Sequence, residues 1–239
     1  MGALSEHFAE HLEELRRRLL ISFGAIIVCS AVAYLFSQQL ARFFVAPLFW
    51  AHPALAKLVY TNLTEAFISY LKVALLVGLL ASFPVLLYEL WMFISPGLHR
   101  HERHQALKVV FSASLLFVGG AAFSYFVVLP EALSFLMGFA DERLVALPKL
   151  DAYLTFVARS ALAFGLAFEV PFLMVVAART GLVSRGYFAA KRKYFYAAIV
   201  VLSFLLTVGD VFSAVLLAIP LFGLYEGGIL IIRLLSSPA

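Results

Sequence analysis

Six long apolar stretches, separated by shorter polar segments, dominate the pattern of hydrophobic and polar positions along the chain. They predict helices at about 19–36, 66–93, 109–129, 154–178, 194–207 and 211–232. About 20 helical residues span a bilayer, so runs of this length indicate membrane helices. Helices also satisfy every backbone group inside lipid, whereas an open sheet would leave its edges unpaired. We therefore predict an all-α polytopic membrane protein with six transmembrane helices, in which residues 1–239 form a single transmembrane domain.

The segment before the first apolar stretch predicts an amphipathic helix over about 4–18. Leu4, Phe8, Leu12 and Leu15 recur at helical spacing and form one apolar stripe, with acidic residues on the remaining surface. Within this segment Glu14 lies four residues before Arg18. An ordinary surface ion pair is therefore one interpretation of this acid.

Composition narrows the class of protein further. Hydrophobic residues make up 64% of the 239 positions and charged residues only 13%, well outside the usual range of soluble domains. The net charge of +4 is spread along the chain, which is unlike a nucleic-acid-binding protein. The single cysteine excludes an intramolecular disulfide.

The distribution of positive charge predicts the orientation in the membrane. Six spans place both termini on one side, and the positive-inside rule assigns that side to the cytoplasm. The predicted inner segments carry twelve Lys and Arg residues: Arg16, Arg17, Arg18, Arg100, Arg103, Lys108, Arg179, Arg185, Lys191, Arg192, Lys193 and Arg233. The predicted outer side carries six: Arg42, Lys57, Lys72, Arg143, Lys149 and Arg159. Residues 37–65, rich in aromatics, are expected to form an outer loop at the membrane interface.

Glu169 is the polar position that says most about function, because it lies near the middle of the fourth predicted span. A carboxyl group at that depth is by default a functional-site hypothesis, and desolvation favours its neutral form. The alternative is a structural carboxyl that a neighbouring helix satisfies. We expect Pro171, two residues later, to bend the helix and to leave Glu169 reachable from the membrane.

The loops offer weaker candidates. Glu102 and Arg103 lie in the run HRHERH of the first inner loop, which could be a basic membrane anchor. Asp210 could cap the last helix. The histidine spacings lack the further ligands that a zinc site needs, so we predict no metal site and no cofactor. No nucleophile motif, P-loop or pair of intramembrane aspartates occurs, so we predict no enzyme activity.

Several stretches covering nearly the whole chain, from about residue 7 to residue 232, resemble the TatC family. Members of this family are the signal-receptor subunits of the twin-arginine protein translocase. The matching stretches are EHLEELRRRLL, VAPL, LYELWMFISPGLHRHER, AFSYFVVLP, FGLAFEVP and TVGDVFSAVLLAIP.

This resemblance implies a glove-shaped fold with both termini in the cytoplasm, in the cytoplasmic (inner) membrane. It implies a receptor and scaffold that recognises paired arginines of signal peptides on folded proteins, for export powered by the proton-motive force. The implied partners are the TatA and TatB subunits and, through self-association, further copies of the chain. The alternative hypothesis is a proton-coupled small-molecule transporter with Glu169 as the carrier carboxyl.

The family's functional positions match residues of this chain. The resemblance implies signal-peptide binding for Glu14, Arg16, Phe93, Leu98, Glu102 and Arg103. It implies docking of the TatA or TatB helix for Glu169, Tyr125 and Phe67, and roles in structure and assembly for Pro47, Pro171 and Asp210. A carboxylate accepts a guanidinium through two parallel hydrogen bonds, so Glu14 and Glu102 suit the signal's arginines.

Overall fold

The structure is a computed structural model that describes residues 2–53, 58–60, 62, 64–94, 106–138, 147–179, 181–184, 186–206 and 211–236. Its helices are α1 (Gly2–Leu35), α2 (Ser37–Ala51), α3 (Glu65–Ile94), α4 (Ala106–Phe123), α5 (Leu129–Met137), α6 (Leu150–Arg179), α7 (Tyr187–Ala190), α8 (Arg192–Leu206) and α9 (Val211–Ser236). The described residues contain one isolated β-bridge, between Val59 and Lys149, and no sheet. The prediction of an all-helical protein is confirmed.

Five helical segments within the described residues are long and apolar enough to cross a membrane. They are Ala9–Leu35, Glu65–Phe93, Leu107–Met137, Leu150–Arg179 and Leu217–Leu234. Large apolar side chains on their outer surfaces, such as Ile27, Phe111 and Ile219, are exposed, as lipid-facing residues are. The fifth predicted span, about 194–207, corresponds to α8. Its 15 residues rise about 22 Å, which is shorter than a hydrocarbon core of about 30 Å.

Two regions near the N-terminus, residues 2–35 and 37–51, differ from the sequence predictions in their local structure. The N-terminal helix and the first span are one continuous helix, α1, because no proline or glycine cap interrupts the sequence between them. Residues 37–51, predicted as part of a loop, form helix α2. Pro47 lies inside α2 and is fully buried. Phe44 and Leu48 lie on the buried face of α2, whereas Phe43 and Trp50, two of the aromatics that suggested an interfacial loop, are exposed.

The third predicted helix does not end at Pro130 but continues to Met137. A π-helical turn, Ser124–Val128, joins α4 to α5, and the Leu129 N–H donates to the carbonyl of Ser124, five residues back. Pro130 is in the first turn of α5, where its missing N–H costs little. The wider turn accommodates the proline without ending the helix.

Contacts between Cα atoms divide the chain into two compact units. The first comprises Met1–Ala46, Ala56–Leu115 and Leu147–Ala158. Within it α1 packs along α3, and Gly78 of α3 lies directly against Ser30 of α1. The Leu150 N–H donates to the Val59 carbonyl over 3.0 Å. This hydrogen bond joins the start of α6 to the segment that precedes α3. The organisation of residues 1–239 as a single domain stays a prediction.

The second unit comprises Pro47–Leu55, Leu116–Ala146 and Arg159–Ala239. Its core has two apolar clusters, one around Phe164, Ala167, Leu217 and Leu221, the other around Met174, Phe188, Tyr225, Ile229 and Ile232. Helices α4 and α6 approach closely at two glycines. A Cβ atom at Gly120 would collide with the backbone carbonyl of Phe164, and one at Gly165 would lie 2.7 Å from the Phe117 ring. Small residues allow this close packing of helices in a membrane.

We predict that Gly120→Ala lowers the free energy of unfolding by about 1–3 kcal/mol, because the added methyl group must push the two backbones apart. The measurement is reversible unfolding of the purified protein in detergent.

The matched control is the neighbouring Gly119→Ala. A Cβ built at Gly119 meets no atom of the described chain within 4 Å, so this change should leave stability unchanged or raise it by up to about 1 kcal/mol. Equal losses for the two variants would contradict the close contact at Gly120.

Candidate functional site

An arginine held between two carboxylates joins helices α1 and α3. Arg18 donates from Nε and Nη2 to Oε1 of Glu14, at 3.1 and 2.5 Å, and from Nη1 to Oε2 of Glu89, at 3.1 Å. Glu14 lies one helical turn before Arg18 on α1, whereas Glu89 is 71 residues away in sequence. We call these three residues the Arg18 ion group. The ion pair between Glu14 and Arg18 that the spacing suggested is present, and Glu89 extends it to a second helix.

An apolar groove of about 370 Å³ lies beside the Arg18 ion group, between α1 and α3. Arg18 and Glu89 form part of its lining, and the other lining residues are Leu15, Leu19, Ser22, Phe23, Ile26, Leu86, Leu90 and Phe93. Charged and apolar surfaces therefore adjoin in one concave site. We call this site the α1–α3 groove.

The structure places several predicted signal-binding residues in this region. Phe93 lines the α1–α3 groove, and its ring stacks on His11 with centroids 4.5 Å apart. Glu14 belongs to the Arg18 ion group, and Arg16 is exposed on α1. Leu98, Glu102 and Arg103 lie outside the described residues.

Glu89 is a residue of this site that the sequence interpretation missed. It lies in the second predicted span, one residue beyond the charge-free centre at 73–88. An acidic residue inside an apolar span is itself a signal of function or of a buried ion pair, and this rule would have found it. Its partner could not be inferred, because the contact depends on the packing of α1 against α3.

Glu169 is buried on α6, with 6% of its surface exposed. Its Oε1 atom has no hydrogen-bond partner within the described part of the chain. Gly165 lies one turn earlier on the same face and packs against Phe117 of α4, and the Glu169 carboxyl interacts with the backbone of Phe117. The expectation that Glu169 is reachable from the membrane is therefore wrong for this structure, because close packing with α4 covers it.

Pro171, which we expected to uncover Glu169, instead contacts another helix. A Cβ atom at Gly228 of α9 would lie 3.1 Å from the Cα atom of Pro171. Pro171 is therefore a packing position between α6 and α9. Asp210 lies outside the described residues.

The other two residues predicted for partner docking lie in different units. Tyr125 is buried in the π-helical turn, and Trp50 of α2 meets its ring edge-on with centroids 5.7 Å apart. Phe67 is 57% exposed on α3 and contacts Tyr34 of α1 edge-on. Phe67 thus offers an accessible aromatic surface, whereas Tyr125 belongs to the interior of the second unit.

A second polar cluster joins helices α8 and α9. Glu226 of α9 accepts hydrogen bonds from Arg192 Nη2 and from the Tyr196 hydroxyl, both at 2.6 Å. The neighbouring Tyr225 hydroxyl donates to the Phe188 carbonyl at 2.8 Å. We call Arg192, Tyr196 and Glu226 the Glu226 cluster. It ties the short helix α8 to α9 through charge as well as packing.

No three His, Cys, Asp or Glu side chains among the described residues come close enough to hold a metal ion. The described residues of the first unit thus provide carboxylates that accept a guanidinium beside an apolar groove, and those of the second unit provide a buried carboxyl.

Comparison with known proteins finds a family that covers most of the chain. The model of the family "Sec-independent protein translocase protein (TatC)" matches residues 10–220. A TatC from Desulforapulum autotrophicum is 42% identical over 219 residues, covering 92% of this chain and 81% of that protein. A TatC from Escherichia coli is 39% identical over 223 residues, covering 93% of this chain and 86% of that protein.

The fold also matches a solved structure. The crystal structure of a twin-arginine translocase receptor TatC superimposes with a TM-score of 0.84 and 37% sequence identity. The match covers 95% of this chain and all of the crystallised chain.

We predict that Glu226→Ala lowers the free energy of unfolding by about 1–2 kcal/mol, because the Arg192 guanidinium and the Tyr196 hydroxyl both lose their acceptor. Reversible unfolding in detergent measures the change. Glu131→Ala is the control, since Glu131 is an exposed acid on α5 and its loss should change stability by less than about 0.5 kcal/mol. Equal effects would mean that the Glu226 cluster adds nothing to the α8–α9 contact.

Proposed function

Because the chain belongs to the TatC family of Sec-independent protein translocase proteins, we propose that it recognises the paired arginines of signal peptides on folded proteins and serves as the scaffold for their export. It is a multi-pass membrane component of the Tat translocase. The observation that supports signal recognition best is the Arg18 ion group, because two carboxylates from two helices there already accept a guanidinium.

The residues assigned to the signal are Glu14, Arg16 and Phe93 beside the α1–α3 groove, together with Leu98, Glu102 and Arg103 of the following segment. Glu14 and Glu102 accept the guanidinium groups through charge-assisted, paired hydrogen bonds. Phe93 and the groove supply apolar surface next to this charge. Carboxylates followed by an apolar groove match a signal peptide, in which positively charged residues precede an apolar segment.

The orientation and energy source complete the proposal. The chain lies in the cytoplasmic (inner) membrane with both termini in the cytoplasm, as the excess of Lys and Arg on the predicted inner segments supports. The Arg18 ion group then faces the compartment in which folded cargo is made. The proton-motive force drives transport, and further copies of the chain join in the receptor complex.

The partners of the scaffold are the TatA and TatB subunits, each bringing a membrane helix. Glu169, Tyr125 and Phe67 are the docking positions, while Pro47, Pro171 and Asp210 maintain the structure on which docking depends. The unpartnered Oε1 of Glu169 supports this role, since a polar side chain at the same depth on another helix would satisfy it. Because α4 covers Glu169, docking requires α4 and α6 to separate locally.

The comparisons do not support the alternative of a proton-coupled small-molecule transporter with Glu169 as the carrier. The family is a protein translocase component. In the described residues Glu169 is also covered by α4 rather than facing a water-filled cavity, which a carrier carboxyl needs.

We predict that Glu14→Lys or Glu102→Lys weakens binding of a twin-arginine signal peptide by about tenfold or more, since a charge-assisted hydrogen-bonded pair becomes a repulsion. The measurement is fluorescence anisotropy with a labelled signal peptide and the full chain in detergent or nanodiscs.

Glu13→Lys is the matched control, because it makes the same change of charge at an exposed position one residue away. It should leave binding within about twofold. A twin-arginine peptide that binds both charge-reversed receptors with the affinity of the unchanged chain would disprove the assigned site.

We further predict that Glu169→Ala reduces crosslinking to the partner helix and lowers export, while signal-peptide binding survives. Glu169→Gln should be milder, because the amide keeps a donor and an acceptor without the charge. Interhelical hydrogen bonds are worth about 0.6–2 kcal/mol, so the loss for Ala should be about threefold to thirtyfold in partner affinity. If Gln fails as badly as Ala, the site needs a titrating proton rather than a hydrogen bond.

A further inference from the structure

Arg18 occupies Glu14, one of the two carboxylates that the proposed function assigns to an incoming arginine, and also pairs with Glu89. Its guanidinium uses two edges, with Nε and Nη2 directed to Glu14 and Nη1 directed to Glu89. We propose that Arg18 is a resident counter-ion that a signal arginine displaces, and that Glu89 is a further acceptor that sets the preference for arginine. This inference rests on the proposed function and identifies the group that occupies the site before a signal peptide binds.

The charges of the Arg18 ion group favour an additional cation. Two carboxylates share one guanidinium, so the group carries one net negative charge. Each carboxylate offers about four acceptor positions, more than one guanidinium can fill. A signal with two arginines can therefore replace Arg18 at one carboxylate and still leave it paired with the other.

The exposure of the three side chains makes exchange feasible. The side chains of Arg18, Glu14 and Glu89 are 18%, 33% and 12% exposed, so the group is partly open. The exchange replaces one guanidinium by another, and neither carboxylate has to become a bare buried charge at any stage.

The geometry explains a preference for arginine over lysine. A guanidinium is planar and donates from two edges, so it can connect carboxylates on different helices, as Arg18 does. A lysine ammonium is a compact point charge without this fork. Glu89 is the acceptor on the second helix. It should therefore contribute more to the preference for arginine over lysine than to the affinity for positive charge in general.

The test compares binding of a twin-arginine peptide and its twin-lysine counterpart to the full chain in nanodiscs. Arg18→Gln should strengthen twin-arginine binding about threefold to tenfold, because the competitor that held two ion pairs is gone. Glu89→Gln should weaken twin-arginine binding and reduce the ratio of twin-arginine to twin-lysine affinity. In the double variant, the gain from Arg18→Gln should largely disappear, since one of the released acceptors is missing.

The control is another ion pair between helices in the same unit. Lys72 of α3 donates to Asp151 of α6 over 2.5 Å, and its side chain is 38% exposed. Asp151→Asn should leave both peptide affinities within about twofold. Thermal unfolding of each variant identifies any whose fold is lost, and if Arg18→Gln is one of these, Arg18→Lys decides, with a smaller gain expected.

Unchanged or weaker twin-arginine binding by a folded Arg18 variant would overturn the proposal. So would a Glu89→Gln variant that keeps the full arginine preference. These outcomes differ from failure of the proposed function, in which the unchanged chain would itself bind the twin-arginine and twin-lysine peptides equally.

Discussion

The absence of water at the depth of the apolar helices is the constraint that organises the polar residues of this chain. A polar group there must find its partner in the protein, because an unsatisfied one costs several kcal/mol. The same pairing extends to partly exposed groups on these helices: Arg18 meets Glu89 across α1 and α3, and Glu226 meets Arg192 and Tyr196 across α8 and α9. In both cases the pairing joins neighbouring helices, so the same contacts that satisfy charge also fix which helices are adjacent.

Glu169 departs from this pattern, and the glycines around it explain how the fold tolerates it. Gly120 and Gly165 bring α4 and α6 so close that the carboxyl, one turn beyond Gly165, is covered. Dispersion contacts between the closely packed backbones offset the cost of an incompletely satisfied carboxyl. The site is therefore stable while closed, and any partner must replace backbone packing as well as supply a hydrogen bond.

Apolar length was enough to predict the long helices, because a bilayer imposes it directly on the sequence. It failed at α2 and at Pro130, where the outcome depends on tertiary packing and on a π turn that no local pattern signals. The site was predictable in part. Glu14 and Phe93, which the sequence indicated, lie beside the groove. Predicting the role of Glu89 requires the register of α1 against α3, and the sequence does not give this register for two residues that are 71 positions apart.

The free energies of these contacts also bear on how a receptor can release its ligand. A carboxylate kept empty near lipid would either become protonated or reorganise, and binding would then include the cost of restoring it. A resident guanidinium pairs with Glu14 and Glu89 and orients both side chains before any signal arrives. Because one guanidinium replaces another, the net free energy of binding is a small difference between two similar ion-pair energies. Recognition can then be specific for the guanidinium fork while remaining weak enough to reverse, as repeated cycles of export require.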